Sequence, residues 1–188
     1  YFIDGVSYPA ASRDDLTEQL PSLKKKYLEY KDYADARLED IFSKEQLQDA
    51  VTLKAELMQS GYLQNNGAKG FAWQPLPAEA QYSPVHGIAT GDYNGDGHTD
   101  ILLAGNNTWS RIKFGRYTAN HGVLLAGDGK GHFTYVPQWK SGLKLRGNLR
   151  SLETIHFRKR PALLAGFNDG PVQLLEKPSK PNSRRRTH

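Results

Sequence analysis

The 188-residue chain has no cysteine, which excludes disulfides but leaves the compartment open, since secreted proteins can also lack them. It has no run near the roughly 18 apolar residues that a spanning helix needs, so no transmembrane segment is expected. There is no basic-then-apolar leader either. With Tyr1 rather than Met at the start, that absence does not exclude secretion. A net charge is missing too, once the tail is set aside. Lys and Arg number 25 against 20 Asp and Glu, but "KPSKPNSRRRTH" at 177–188 holds five of the basic residues and no acid, leaving a body of 20 against 20. The tail reads as a solvated, disordered terminus of charge, Pro and Ser. Arg146, Arg150, Arg158, Lys159 and Arg160 without a recognised motif make a thin electrostatic footprint, so no nucleic-acid partner is expected.

A catalytic set is also lacking. His86, His98, His121, His132 and His156 are scattered over strand-like runs and turns, and no Ser lies in a nucleophile-elbow context. No catalytic residue and no organic cofactor site are expected. "GDGKG" at 127–131 lacks the Lys-Ser/Thr ending of a phosphate loop and leads into a strand, not a helix.

What is present divides into two periods. In the first 50 residues Ser12 and Asp15 form a capping pair, and Leu16, Leu20, Leu23, Tyr27 and Tyr30 recur at helical steps. Pro21 splits the pattern, because proline suits a first turn and not an interior. Leu38, Ile41, Phe42 and Leu47 continue it to about Ala50. From Val51 the chain changes to short apolar runs between Gly, Asn, Asp and Pro, which predicts many short antiparallel strands. Those runs are "LKAELMQSGYLQ", "GFAWQPLP", "VHGIATGDY", "DILLAGN", "HGVLLAGDG", "HFTYVPQW", "LRSLETIHF", "PALLAGFND" and "PVQLLE".

Two landmarks repeat. "YLQNNGAKGFAWQPLP" matches "LLAGDGKGHFTYVPQW" with Asn66 falling on Asp128, and "DILLAGNN" matches "PALLAGFND" with Leu102 falling on Leu163. The spacings, 62 and 61 positions, agree, and such a period in β-rich sequence predicts propeller blades. Asn66-Gly67 and Asp128-Gly129 are expected as primed hairpin turns. Among the aromatics near turns, Trp73 and Trp139 are expected to pack between sheets, while Trp109 and Tyr117 are left open as a platform for sugar or peptide.

The most specific stretch is "GDYNGDGHTDILLAGN" at 91–106. Asp92, Asn94 and Asp96 place oxygen ligands at alternate positions, Gly97 permits a reversal, the His98 carbonyl can contribute, and Asp100 closes the shell, a donor set suited to calcium. Facing carboxylates would repel unless a cation stood among them. The twelfth position counted from Asp92 is Leu103, inside a strand, so a helix-loop-helix site is excluded. The competing reading is an Asn/Asp/Gly hairpin turn without metal.

"DYNGDGHTDILLAGN", with "NGAKGF" and "GDGKGHF", resembles the FG-GAP or VCBS repeats of integrin alpha-subunit propellers and of bacterial secreted or surface propellers. The likeness covers roughly Leu53 to Glu176. It matches the calcium loop at Asp92, Asn94, Asp96, His98 and Asp100, whereas the next copy reads "RSLETIHFRKR", with a single acid. "KFGRYTANHG" also looks like a connection in bacterial members of the family. The resemblance implies a mainly β chain of two to three blades, the C-terminal portion of a larger propeller, with residues 1–50 as a helical insertion packed on it, 51–176 as blades and 177–188 as tail. It implies a non-catalytic calcium-stabilised scaffold for protein or glycan ligands, extracellular, periplasmic or on the cell surface. The alternative is the accessory propeller portion of a secreted carbohydrate-active or other hydrolytic enzyme. Two blades leave open β edges, so further blades or an oligomer are expected to close them.

Overall fold

A computed structural model describes residues 1–177 of the chain; the reading of the tail falls on residues beyond these, except for Lys177. The chain forms two compact units, Tyr1–Glu56 and Leu57 onward.

The first unit opens on a small hairpin, β1 (Phe2–Ile3) and β2 (Val6–Ser7), that the sequence did not announce. Its turn sits at Asp4 and Gly5, both with positive φ. Helix α1 (Arg13–Gln19) is capped as expected: the Ser12 hydroxyl accepts from the Asp15 N–H, and the Asp15 carboxylate accepts from the Ser12 N–H. Pro21 starts a separate 3-10 turn, Pro21–Lys24, so the split occurs where the missing N–H predicts it. Three short helices follow, α2 (Tyr30–Ala34), α3 (Leu38–Ile41) and α4 (Lys44–Gln48). Tyr27, Tyr33, Ala36 and Ile41 are buried together with Leu16, Leu23 and Phe42 against them. Tyr27 and Tyr33 meet edge to face at 5.4 Å.

The second unit is mainly β. It contains β3 (Gly61–Asn65), β4 (Phe71–Pro75), β5 (Gly87–Gly91), β6 (Asp100–Ala104), β7 (Val123–Gly127), β8 (Phe133–Val136), β9 (Asn148–Phe157), β10 (Arg160–Asn168) and β11 (Gln173–Glu176). All nine expected runs supply a strand. The first does so only from Gly61, since 53–59 is exposed chain without regular structure. The strands make a two-stranded sheet β3-β4, a four-stranded sheet β5-β6-β7-β8 and a three-stranded sheet β9-β10-β11, all antiparallel.

These are one complete blade between two partial ones. By the repeat spacing β3 and β4 correspond to β7 and β8, while β6 corresponds to β10. The preceding blade is therefore represented by its last two strands and the following blade by its first three. The complete blade buries both faces, as a blade between neighbours must. Leu102, Ala104 and Leu124 face Leu149, Leu152, Leu163 and Ala165 of the following blade. Leu103, Val123 and Leu125 pack with Leu76 and Ala80, with Tyr62 of the preceding blade against them. Strand alternation produces this directly, because successive residues of β6 point to opposite sides. The first strands of adjacent blades, β5 and β9, lie together, and Gly87 makes the approach possible: a Cβ there would stand 2.7 Å from Leu152 Cβ and 2.8 Å from Leu149 Cδ2.

Two sequence expectations are corrected. The turns after β3 and β7 are not two-residue primed turns. Asn66 has φ −100, and the closing bonds run from the Asn66 N–H to the Gly70 carbonyl (2.8 Å) and from the Asp128 N–H to the His132 carbonyl (3.1 Å). Positive φ falls instead on Gly67 and Gly70, and on Gly129 and Gly131. The closing bond and the first glycine recur at the 62-residue spacing, while the second glycine stands one position earlier in the later loop. Trp139 does not pack between sheets. It sits on the short helix α5 (Gln138–Ser141) after β8 and is 80% exposed, because the strand ends before it.

Candidate functional site

The connection from β5 to β6 carries Asp92, Asn94, Asp96 and His98, all exposed, and ends on Asp100, which is 0% exposed. Its geometry accounts for six consecutive backbone N–H groups. Tyr93 and Asn94 donate to Asp100 Oδ2 (2.9 and 3.2 Å). Gly95 and Asp96 donate to Asp92 Oδ1 (2.6 and 3.1 Å) and Gly97 to Asp92 Oδ2 (3.0 Å). Asp96 N–H also reaches Asn94 Oδ1 (2.8 Å), and His98 N–H reaches Asp96 Oδ1 (2.8 Å). A loop this tight has no sheet partner for its amides, and short polar side chains at alternate positions supply the acceptors.

The structure thus gives the alternation a purpose that the sequence reading assigned to a cation. The carboxylates are surrounded by N–H donors, and the His98 N–H, then the Asn94 amide, hold the Asp96 carboxyl below the ordinary carboxylate range. Among the described residues no three of Asp, Glu, His and Cys gather as a metal-holding group. The donor set still suits a hard divalent cation in kind. Asp92, Asn94 and Asp96 are exposed oxygen bearers on one loop, and each retains acceptor capacity beyond the bonds it makes. Asp100 lies beneath them, its other oxygen accepting from the Gly127 N–H of β7 at 3.0 Å. It ties the loop to the third strand of its blade.

The β7-β8 turn lies at the same end of the sheet. A Cβ at Gly129 would stand 2.5 Å from His98 Nδ1, so the two loops touch. Within that turn Asp128 pairs with His132 Nδ1 at 2.7 Å and accepts from the Lys130 and His132 N–H groups. The His132 ring, then these amides, hold the Asp128 carboxyl far below its usual range. A depressed acid contributes stability that is complete above its unfolded pKa, about 3.9, and is lost as pH falls toward its folded pKa. An Asp128→Asn variant is therefore expected to show a small deficit in urea midpoint at about pH 5 that shrinks below about pH 4.

The opposite end of the blade holds a buried polar cluster that the sequence reading missed. Asn106, 2% exposed, uses its whole amide: Oδ1 accepts from the Ser83 hydroxyl (2.9 Å) and the Asn120 N–H (3.0 Å), while Nδ2 donates to the carbonyls of Asn120 (2.7 Å) and Gly147 (2.9 Å). Arg150 donates to the Asn106 carbonyl at 3.2 Å. One side chain thereby joins the loops before β5, after β6 and before β9. An asparagine after "LLAG" was the available signal, but only the fold brings its partners together.

With this geometry in view, the match to known families is specific. Residues 85–120 match the FG-GAP repeat family model, a segment that begins just before β5, includes the acidic loop and β6, and ends at Asn120. The chain contains an FG-GAP repeat within a set of β-propeller-like blades. No curated protein and no solved structure matches the chain.

Where the acidic loop would recur, between β9 and β10, the chain instead turns at Arg158 and Lys159, both with positive φ and enclosed by the Phe157 and Arg160 pair. That two-residue turn carries no acid.

Proposed function

We propose that this chain is part of a non-catalytic β-propeller scaffold, integrin-alpha-like, that binds a protein or glycan outside the cytosol and takes one calcium ion at Asp92, Asn94, Asp96, His98 and Asp100. The observation that carries the reading is the FG-GAP match laid over a blade buried on both faces, with the acidic loop at its first connection. Further blades, or a second copy, close the unpaired edges of β3 and β11. The role of calcium is structural. It adds a common centre to a loop whose amides are already satisfied, and free calcium outside the cytosol is plentiful enough to fill even a weak site.

Calorimetry on the full chain tests the metal. One site is expected, with magnesium a poor substitute because its small octahedral shell suits few protein oxygens. At a hundredfold excess over the dissociation constant the folded form gains about 2.7 kcal/mol. Asp96→Ala is expected to remove the calcium-dependent rise in melting temperature. No heat of binding at millimolar calcium would remove the metal from the proposal and leave the scaffold reading to stand on the repeat alone.

A further inference from the structure

The end of the blade opposite the acidic loop carries a different chemistry. The connection from β6 to β7 runs from Gly105 to Gly122, 18 residues, beyond the roughly 12–15 at which a loop usually has a function of its own. It is built rather than slack. Asn106 anchors its base, Asn107 and Tyr117 exchange backbone bonds of 2.9 Å across its neck, and the Ser110 hydroxyl donates to the Gly115 carbonyl at its tip. The connection from β8 to β9 lies against it: the Leu145 N–H donates to the His121 carbonyl at 2.9 Å, and Gly122 packs on Leu143 and Leu145.

These two loops expose large apolar side chains that a folded blade would ordinarily hide. Ile112 is 100% exposed, Trp139 80% and Trp109 74%, with Phe114 and Tyr117 beside them in sequence. They also expose Arg111, Lys113, Arg116, Lys140, Lys144 and Arg146 and contain no acid. The two features are paired, since Lys140 Nζ lies 5.0 Å from the Trp139 ring centre and Lys113 Nζ 5.2 Å from that of Phe114. An aromatic ring with an ammonium over it, repeated on adjacent loops, complements a chain that repeats an apolar ring face and an anionic group.

We propose that this loop face binds a linear acidic glycan, its sugar rings stacked on Trp109 and Trp139 and its carboxylates held by Arg111, Arg116 and Lys140. The proposal rests on the scaffold reading and names its ligand class and binding face. A single-stranded nucleic acid has a similar repeat, but its affinity draws chiefly on the cations that neutralise its phosphates, and outside the tail this chain balances 20 basic against 20 acidic residues. The local cations suit the sparser charge of a uronate chain. The fixed loops reduce the ordering cost of binding.

The test is titration of the full chain with a hyaluronan octasaccharide in chelator, so that calcium plays no part, read by tryptophan fluorescence and calorimetry. Binding that weakens with salt is expected, and a Trp109→Ala/Trp139→Ala double variant is expected to lose about tenfold or more in affinity. Both positions are exposed, so its urea midpoint should match the wild type and report that it folds. A separate Arg111→Ala/Lys140→Ala variant should lose affinity and salt dependence together. Tighter binding of a single-stranded oligothymidylate than of the glycan would overturn the proposal, as would glycan binding untouched by these substitutions or no binding at millimolar glycan. A neutral cello-oligosaccharide bound equally by wild type and variants would likewise overturn it while leaving the scaffold reading in place.

Discussion

Replacing Asp100 by alanine is expected to destabilise the β-rich unit by about 4 kcal/mol, since hydrogen bonds to a charged acceptor contribute about 1.5–3 kcal/mol each and buried donors left unpaired add a desolvation cost. The carboxylate is wholly buried and accepts from Tyr93, Asn94 and Gly127. No water-exposed rearrangement can serve all three amides once it is gone. Urea unfolding followed by tryptophan emission measures the loss, and it reports on one unit only, because Trp73, Trp109 and Trp139 all lie after Leu57. Asp100→Asn keeps the shape but turns an N–H donor toward one set of amides, so it should also destabilise, by less.

The same variant separates two roles for this residue. If Asp100 holds the backbone as well as closing the calcium shell, most of the deficit is present in chelator and calcium only adds to it. A deficit confined to calcium would make it a metal ligand first and would contradict the geometry described above. Asp96→Ala is expected to behave in the opposite way. Its exposed side chain holds only the His98 N–H and the Asn94 amide, so in chelator its cost should be small.

The blades were legible because each strand is bracketed by residues with a specific backbone reason to turn. Gly67, Gly70, Gly129 and Gly131 adopt positive φ where the sequence places glycine, and the 61- and 62-residue spacings survive as matching strands and matching loop closures. What escaped the sequence lacked a period. Strands β1 and β2 have two residues each, too few to show alternation. Residues 53–59, apolar enough to read as part of a strand, find no neighbour to cover them. Trp139 has the composition of a packing residue, and only the position of the strand end decides that it is exposed.

The acidic loop was legible as a site and ambiguous as to purpose for a physical reason. Side-chain oxygens at alternate positions are what a cation needs and also what six unpaired amides need. The sequence does not distinguish those two demands, whereas hydrogen-bond geometry shows that the second is met.

Asn106→Ala is expected to cost about 3 kcal/mol, since a buried polar group left unsatisfied costs about 1–3 kcal/mol and this amide serves four partners. The groups left behind are the Ser83 hydroxyl, the Asn120 N–H and the carbonyls of Asn120 and Gly147. They belong to three separate connections, so the effect should be topological as well as energetic. Asn106→Asp is the sharper variant. It nearly preserves volume and keeps Oδ1 as an acceptor, but replaces the two N–H donors with an oxygen facing the carbonyls of Asn120 and Gly147. Acceptor against acceptor in a buried site should cost at least as much as alanine. Hydrogen exchange locates the damage: protection should fall at the Asn120, Gly122 and Leu145 amides, which hold the loop bases, while Gly127, tied to Asp100 at the far end of β7, keeps its protection. Equal loss at Gly127 would mean that the two ends of the blade open as one, and that Asn106 is a general core residue rather than the clamp of the loop face.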